Sequence, residues 1–193
     1  MKVNAALAHK VETNKRIMMA TSSIDGPTVP FAPNDLLKSN TTLFMIYHCM
    51  DSGYNYLSPL GCAIGAFAVP LIPRFKDLTR LQAAGTGAIL AGGTGCLAGG
   101  LALYNIATMK EPKLPWDEGG RQNRVDGLSH NYRVRCMDLG VWMGVLGGAA
   151  AVAYHGGPTK LGLSSGTLGK LQAIGLGSAA ASVLTNIFIT VTK

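Results

Sequence analysis

Four long stretches of this chain carry no charge, and their absence of charge constrains the fold more than any motif does. No Asp, Glu, Lys or Arg lies between Asp51 and Arg74, between Arg80 and Lys110, between Asp138 and Lys160, or between Lys170 and Lys193. Each gap reaches the roughly 20 residues that carry a helix across a bilayer core. Only 14% of the chain is charged while 48% is hydrophobic; soluble domains are about 25% charged. The gaps predict an all-α membrane protein with four transmembrane helices, near 53–73, 82–108, 139–156 and 171–191. A polar N-terminal arm, 1–50, precedes the bundle, 51–193. A polar loop, 109–138, separates the second and third spans.

The gaps are rich in small residues rather than strongly apolar. Gly accounts for 25 of the 193 residues, and the mean hydropathy is only weakly positive. Such helices are marginal alone in lipid and need neighbours. Small residues recur every four positions in each gap: Gly61 and Gly65; Gly87, Ala91, Gly95 and Gly99; Gly140, Gly144 and Gly148; Ala173, Gly177 and Ala181. Ala84, Ala88 and Gly92 form a second stripe in the second span. Small residues one turn apart let two helix backbones approach closely. The sequence therefore predicts a bundle with glycine-rich packing faces.

One stretch competes with this view. Within "GTGAILAGGTGCLAGG" (85–100), Gly93 to Ala98 fit G-x-G-x-x-A, the glycine turn of dinucleotide-binding proteins. That motif needs a strand before it and an acidic residue about 20 positions on, at the end of a second strand. Glu111 has the spacing but sits in "KEPKLP", which its prolines exclude from a central strand. The match follows from two overlapping small-residue stripes. A soluble dinucleotide-binding domain is thus the weaker alternative.

Both links flanking the outer gaps are short and basic. "RFKDLTR" (74–80) carries Arg74, Lys76 and Arg80, and "GGPTKLGLSSGTLGK" (156–170) carries Lys160 and Lys170. An even number of spans places both links on one side and both termini, with the middle loop, on the other. By the positive-inside rule the short links belong on the matrix or cytoplasmic side. Their five basic residues are candidate contacts for anionic lipid head groups. In the arm, "HKVETNKR" reads as a surface helix and "DGPTVPFAPND" as extended or turned. "TTLFMIYHCM" (41–50) is too short to span; it lies at the interface or extends the first helix.

Chemistry-bearing residues are scattered. Cys49, Cys62, Cys96 and Cys136 form no C-x-x-C pair and read as free, small apolar residues. His9, His48, His130 and His155 lack metal-ligand spacing. Asp51 and Asp138 read as boundary residues at the edges of spans. Arg133, Arg135 and Asp138, at the entrance to the third span, are candidates to fix a helix end or dock a partner. No nucleophile–base pair, phosphate cradle or paired catalytic carboxylate is evident. Catalytic, cofactor and metal sites are therefore not expected. The net charge is +7 without a basic stripe interleaved with aromatics, which argues against nucleic acid; no small-molecule substrate is expected either.

The span number, the loop lengths and glycine faces such as "GAILAGGTGCLAGG" and "DLGVWMGVLGG" resemble the Tim family of mitochondrial inner-membrane protein translocases. That family includes a Tim-like accessory subunit of respiratory complex I. The resemblance covers about residues 53–192, and "SHNYRVRCMDLGVWMGVLGG" (129–148) looks most like that subunit. The family's Arg-then-Asp spacing is met loosely by Arg133 or Arg135 with Asp138. The resemblance implies a multi-pass protein of the mitochondrial inner membrane, with termini toward the intermembrane space. It implies a non-catalytic accessory subunit that braces the membrane arm of complex I against other membrane subunits. A bound phospholipid such as cardiolipin is the ligand expected on this view. The alternative it implies is a component of a protein translocase.

Overall fold

The computed structural model describes residues 32–108 and 117–192. The arm up to residue 31, the segment 109–116 and Lys193 lie outside the described residues. So do the expectations placed there, including the "HKVETNKR" helix, His9 and Glu111. The described chain is helical: α1 Thr41–Phe67, α2 Arg80–Thr108, α3 Glu118–Ser129, α4 Tyr132–Tyr154 and α5 Gly166–Val191, joined by short 3-10 turns. No strand occurs among the described residues. Among the described residues, three segments are long and apolar enough to cross a membrane: Arg80–Asn105 of α2, α4 and α5; α1, where the first span was expected, is not one of them.

Several boundaries differ from the sequence expectation. The segment 41–50 extends the first helix, one of the two alternatives open from the sequence: it forms the first turns of α1, a helix of 27 residues that starts well before residue 53 and stops at Phe67. Asp51 is therefore interior to a helix rather than at its edge. The stretch 68–79 is a chain of tight turns, since Pro70 and Pro73 cannot continue a helix. The middle loop contains a helix of its own, α3, and α4 begins at Tyr132. Arg133, Arg135 and Asp138 thus project from the first two turns of α4. Helix α5 begins at Gly166, before Lys170.

Local chemistry explains the helix ends. The side chain of Asn40 accepts from the Leu43 N–H at the start of α1, that of Asp117 from Gly120 at α3, and that of Asn131 from Val134 at α4. Thr79 and Gln82 form a reciprocal capping box at α2: the Gln82 N–H donates to Thr79 Oγ1 at 3.2 Å, and the Thr79 N–H to Gln82 Oε1 at 3.1 Å. Helix α4 ends in a Schellman turn. The Gly157 N–H donates to the Val152 carbonyl and the Gly156 N–H to that of Ala153, with Gly156 at φ +72°.

The helices form two antiparallel hairpins whose seams are made of glycine. Along α1 and α2, a Cβ built on Gly53 would overlap the Gly95 carbonyl, one on Gly61 the Gly87 carbonyl and the Ala91 methyl, and one on Gly65 the Ala83 carbonyl. Gly99 lies equally tight against the Cys49 carbonyl. Along α4 and α5, Gly140 faces the Thr185 side chain, Gly144 meets Gly177, and Gly148 meets Ala173. The hairpins join where Gly85 approaches Gln172 and Gly175 approaches Ile89 and Ala88. A glycine costs about 1 kcal/mol relative to alanine inside a helix. Close backbone approach, with its dense dispersion contacts, offsets that cost. Gly93, Gly100 and Gly147 have open space at the Cβ position.

The two ends differ. At one, the short links meet: Thr79 Oγ1 donates to the Gly162 carbonyl at 3.5 Å. At the other, which holds the N-terminus of α1, α3 folds across the hairpins. There Val125 completes a cluster with Phe44, Met45 and Leu103.

These contacts separate two kinds of glycine. Gly95→Leu should lower the thermal stability of the full chain in detergent by about 1–3 kcal/mol, the usual cost of overpacking. Gly93→Ala should raise it by about 0.5–1 kcal/mol, the usual helix gain. Thermal melts followed by circular dichroism check both; equal effects at the two sites would contradict the seam.

Candidate functional site

The polar side chains of the long helices turn toward one another. Asn55, 2% exposed, donates from Nδ2 to Asp51 Oδ2 at 3.1 Å and accepts from Ser182 Oγ at 2.7 Å. One turn along α5, Ser178 Oγ shares a 2.7 Å hydrogen bond with Tyr54 Oη, whose ring fills the space beside Gly92. Asn186 Nδ2 donates to the Ser182 carbonyl at 2.9 Å. Toward the link end, fully buried Gln172 joins three segments. It accepts from the Ser164 N–H at 2.9 Å and donates to Thr86 Oγ1 at 3.0 Å and to the Gln82 carbonyl at 3.3 Å. Thr94 is satisfied within its own helix, by the Leu90 carbonyl at 2.8 Å. A buried polar group without such a partner costs folding free energy, so these bonds fix how the hairpins fit.

Near the α3 end the seam opens into a pocket of about 240 Å³ between α1 and the start of α4. His48, Asp51, Asn55 and Tyr56 line it from α1; Arg133, Met137 and Asp138 line it from α4, with the cap residue Asn131. The carboxyls of Asp51 and Asp138 face each other within hydrogen-bonding reach. Asp138 is 1% exposed, and no N–H or hydroxyl donor reaches its Oδ2; His48 Nδ1 has no partner either. Two facing carboxylates repel unless a proton or a cation lies between them. Beside the pocket, Trp142 Nε1 donates to Tyr47 Oη at 2.7 Å, tying α4 to α1.

Above the pocket sits an ionic clamp. Arg135 donates two hydrogen bonds to Asp35, NH1 to Oδ1 at 2.8 Å and NH2 to Oδ2 at 3.0 Å, and NH1 also donates to the Ser129 carbonyl at 3.0 Å. Lys38 pairs with Asp35 at 2.6 Å. Partial burial pushes the Asp35 carboxyl up. Hydrogen bonds from Arg135, Lys38 and the Ala32 N–H outweigh that effect and hold it at about 2, below its ordinary 3.8.

Arg133, Arg135 and Asp138 therefore do three different things. Arg135 is committed to Asp35 and fixes the approach to α1 onto the start of α4. Asp138 is buried against Asp51. Arg133 stays exposed at the pocket rim. The basic residues Arg74, Lys76, Arg80, Lys160 and Lys170 are all exposed at the link end. All four cysteines are free. Sequence reasoning overlooked Tyr54, Gln172, Ser182 and the pairing of Asp51 with Asp138. A signal existed for part of this: Asp51 with Asn55, and Ser178, Ser182 and Asn186, recur at helical spacing.

The clamp has a pH signature. Because Asp35 is held below its ordinary value, its stabilisation is complete above pH 3.8 and fades as pH falls toward 2. Arg135→Gln should cost about 1–2 kcal/mol at neutral pH, allowing for solvent access, and flatten that acid limb. Asn55→Ala should cost about 1 kcal/mol, the usual value of an interhelical hydrogen bond in a bilayer. Unfolding of the full chain in detergent between pH 2 and pH 7 checks both. No family model, curated protein or solved structure matches this chain.

Proposed function

We propose that the chain is a non-catalytic structural subunit embedded in a membrane by four spans, with glycine seams as the packing faces. The observation that carries this reading is the distribution of polarity. Asn55, Tyr54 and Thr86 bond across helices to Ser182, Ser178 and Gln172, whereas large apolar residues face outward. Leu90, Leu97 and Leu101 on α2, Met143 and Leu146 on α4, and Leu184, Ile187 and Phe188 on α5 are all exposed. Contiguous exposed apolar surface of this kind suits lipid or a neighbouring subunit. Helix α1 fits as the fourth span. Its Asn55 and Ser58 are buried, and its outward face carries Tyr56, Leu60, Ile64 and Phe67. At about 1.5 Å per residue, its length of 27 residues exceeds the hydrocarbon core.

The Tim-like resemblance supports the specific assignment. The chain is an accessory subunit of respiratory complex I in the mitochondrial inner membrane, bracing the membrane arm and its lipids. The short basic links face the matrix and the termini face the intermembrane space. The acid-floored pocket favours a second reading, a component of a Tim-type protein translocase, in which a polar recess faces the transported chain.

Mild-detergent native electrophoresis with mass spectrometry separates the two. The first reading expects co-migration with NADH dehydrogenase activity; recovery only with preprotein-import components would overturn it. Carbonate extraction should leave the chain in the pellet, and release into the supernatant would refute the membrane assignment.

A further inference from the structure

From the pocket between α1 and α4 we infer that the chain holds a phospholipid whose head group carries a primary ammonium next to a phosphodiester, as in phosphatidylethanolamine. This rests on the membrane-embedded reading given above and names the lipid class for one site.

The floor of the pocket is short of hydrogen-bond donors. No N–H or hydroxyl donor reaches buried Asp138 Oδ2, buried His48 Nδ1 has no partner, and Asp51 faces Asp138. Buried polar atoms rarely go unsatisfied unless a ligand, ion or water meets them. A primary ammonium offers three N–H donors and a positive charge, which matches two carboxyls and an imidazole nitrogen. It also brings a positive charge to the facing carboxyls, which otherwise share a proton. The groups around this pair come from the elements packed against it: Tyr47, His48 and Asn55 on α1, Cys96 on α2, Arg133 on α4 and Ser182 on α5, with Arg135 engaged by Asp35. The rim then supplies the opposite charge, since Arg133 is exposed one turn before Met137 and Asp138. An acidic floor below a basic rim is the complement of a zwitterionic head group.

Depth and surface agree. Asp138 lies six residues into α4, about 9 Å along the helix axis, a depth comparable to the head-group layer, which adds roughly 5–7 Å beyond each face of the core. From the pocket wall, Tyr56 begins an exposed apolar stripe, Tyr56–Leu60–Ile64–Phe67, that runs along α1 toward the link end. An acyl chain can follow that stripe while the head group occupies the pocket. The basic links at the opposite end have no acidic floor, so they do not compete for this chemistry.

The test uses the full chain in nanodiscs of phosphatidylcholine doped with lipids of identical acyl chains, read by native mass spectrometry. Phosphatidylethanolamine should be retained about tenfold more than phosphatidylcholine. Retention should fall stepwise through the mono- and dimethylated head groups, which lose N–H donors one at a time. Asp138→Asn should abolish the preference. Arg133→Gln should weaken retention of every phospholipid while preserving their order. Equal retention of the two lipids by the unaltered chain would overturn the proposal, as would a preference that survives in folded Asp138→Asn. Should Asp138→Asn fail to fold, the methylation series and Arg133→Gln decide alone. Binding of a lysine-rich peptide in phosphatidylcholine discs, with no ethanolamine preference, would assign the pocket to a protein partner instead. A chain that pellets in carbonate yet shows no preference refutes this inference only; one released by carbonate refutes the membrane reading beneath it.

Discussion

Backbone-to-backbone contact at glycine governs the rest of this structure. Where Gly53 meets Gly95, Gly61 meets Gly87 and Gly144 meets Gly177, there is no room for even a methyl group. Helices this close cannot shift against each other without collision, so each seam fixes a register. The register places Asn55 opposite Ser182, Tyr54 opposite Ser178, and Gln172 against both Thr86 and Ser164. In a bilayer no hydrophobic force drives helix against helix, because lipid tails are as apolar as leucine. Close packing and interhelical hydrogen bonds then have to hold the bundle, and the two are here arranged along the same seams.

The same register creates the one polar recess described here. Bringing α4 beside α1 sets Asp138 against Asp51, an arrangement that costs free energy unless something positive is shared between them. Ionisable groups retained at such a cost in the interior of a fold are candidates for function. At the other end, Gln172 closes the links without charge, leaving their lysines and arginines outside. The molecule thus has a basic, closed end and an end with an acidic recess.

Much of the helical scaffold was legible from charge alone. The gap from Arg80 to Lys110 corresponds closely to α2, and the four-residue spacing of small residues picked out Gly61, Gly65, Gly87, Gly95 and Gly99, all of which meet a neighbouring backbone. Charge spacing does not show which charges are buried: Asp51 lies inside α1 rather than at its end, with Asn55 and Asp138 as neighbours. Helix α3 is not legible in the sequence, because "EGGRQNRVDGLS" is polar and contains Gly; its helicity rests on the Asp117 cap and on burial of Val125. Arg135 was placed beside Asp138 by proximity in sequence, but its partner is Asp35, a hundred residues away.

What the sequence by itself determined is where helices form and which of their faces are small, since both follow from local charge and from a period of about 3.6 residues. Which small face meets which, and which polar groups become partners, was decided only by the tertiary structure. Those choices depend on how two hairpins fit along their whole length. The stripes of α1, α2, α4 and α5 are nearly interchangeable as local patterns, and only simultaneous packing distinguishes among them. The acidic recess belongs to that second category: Asp51 and Asp138 are unremarkable apart, and become a site when the glycine seams bring their helices together.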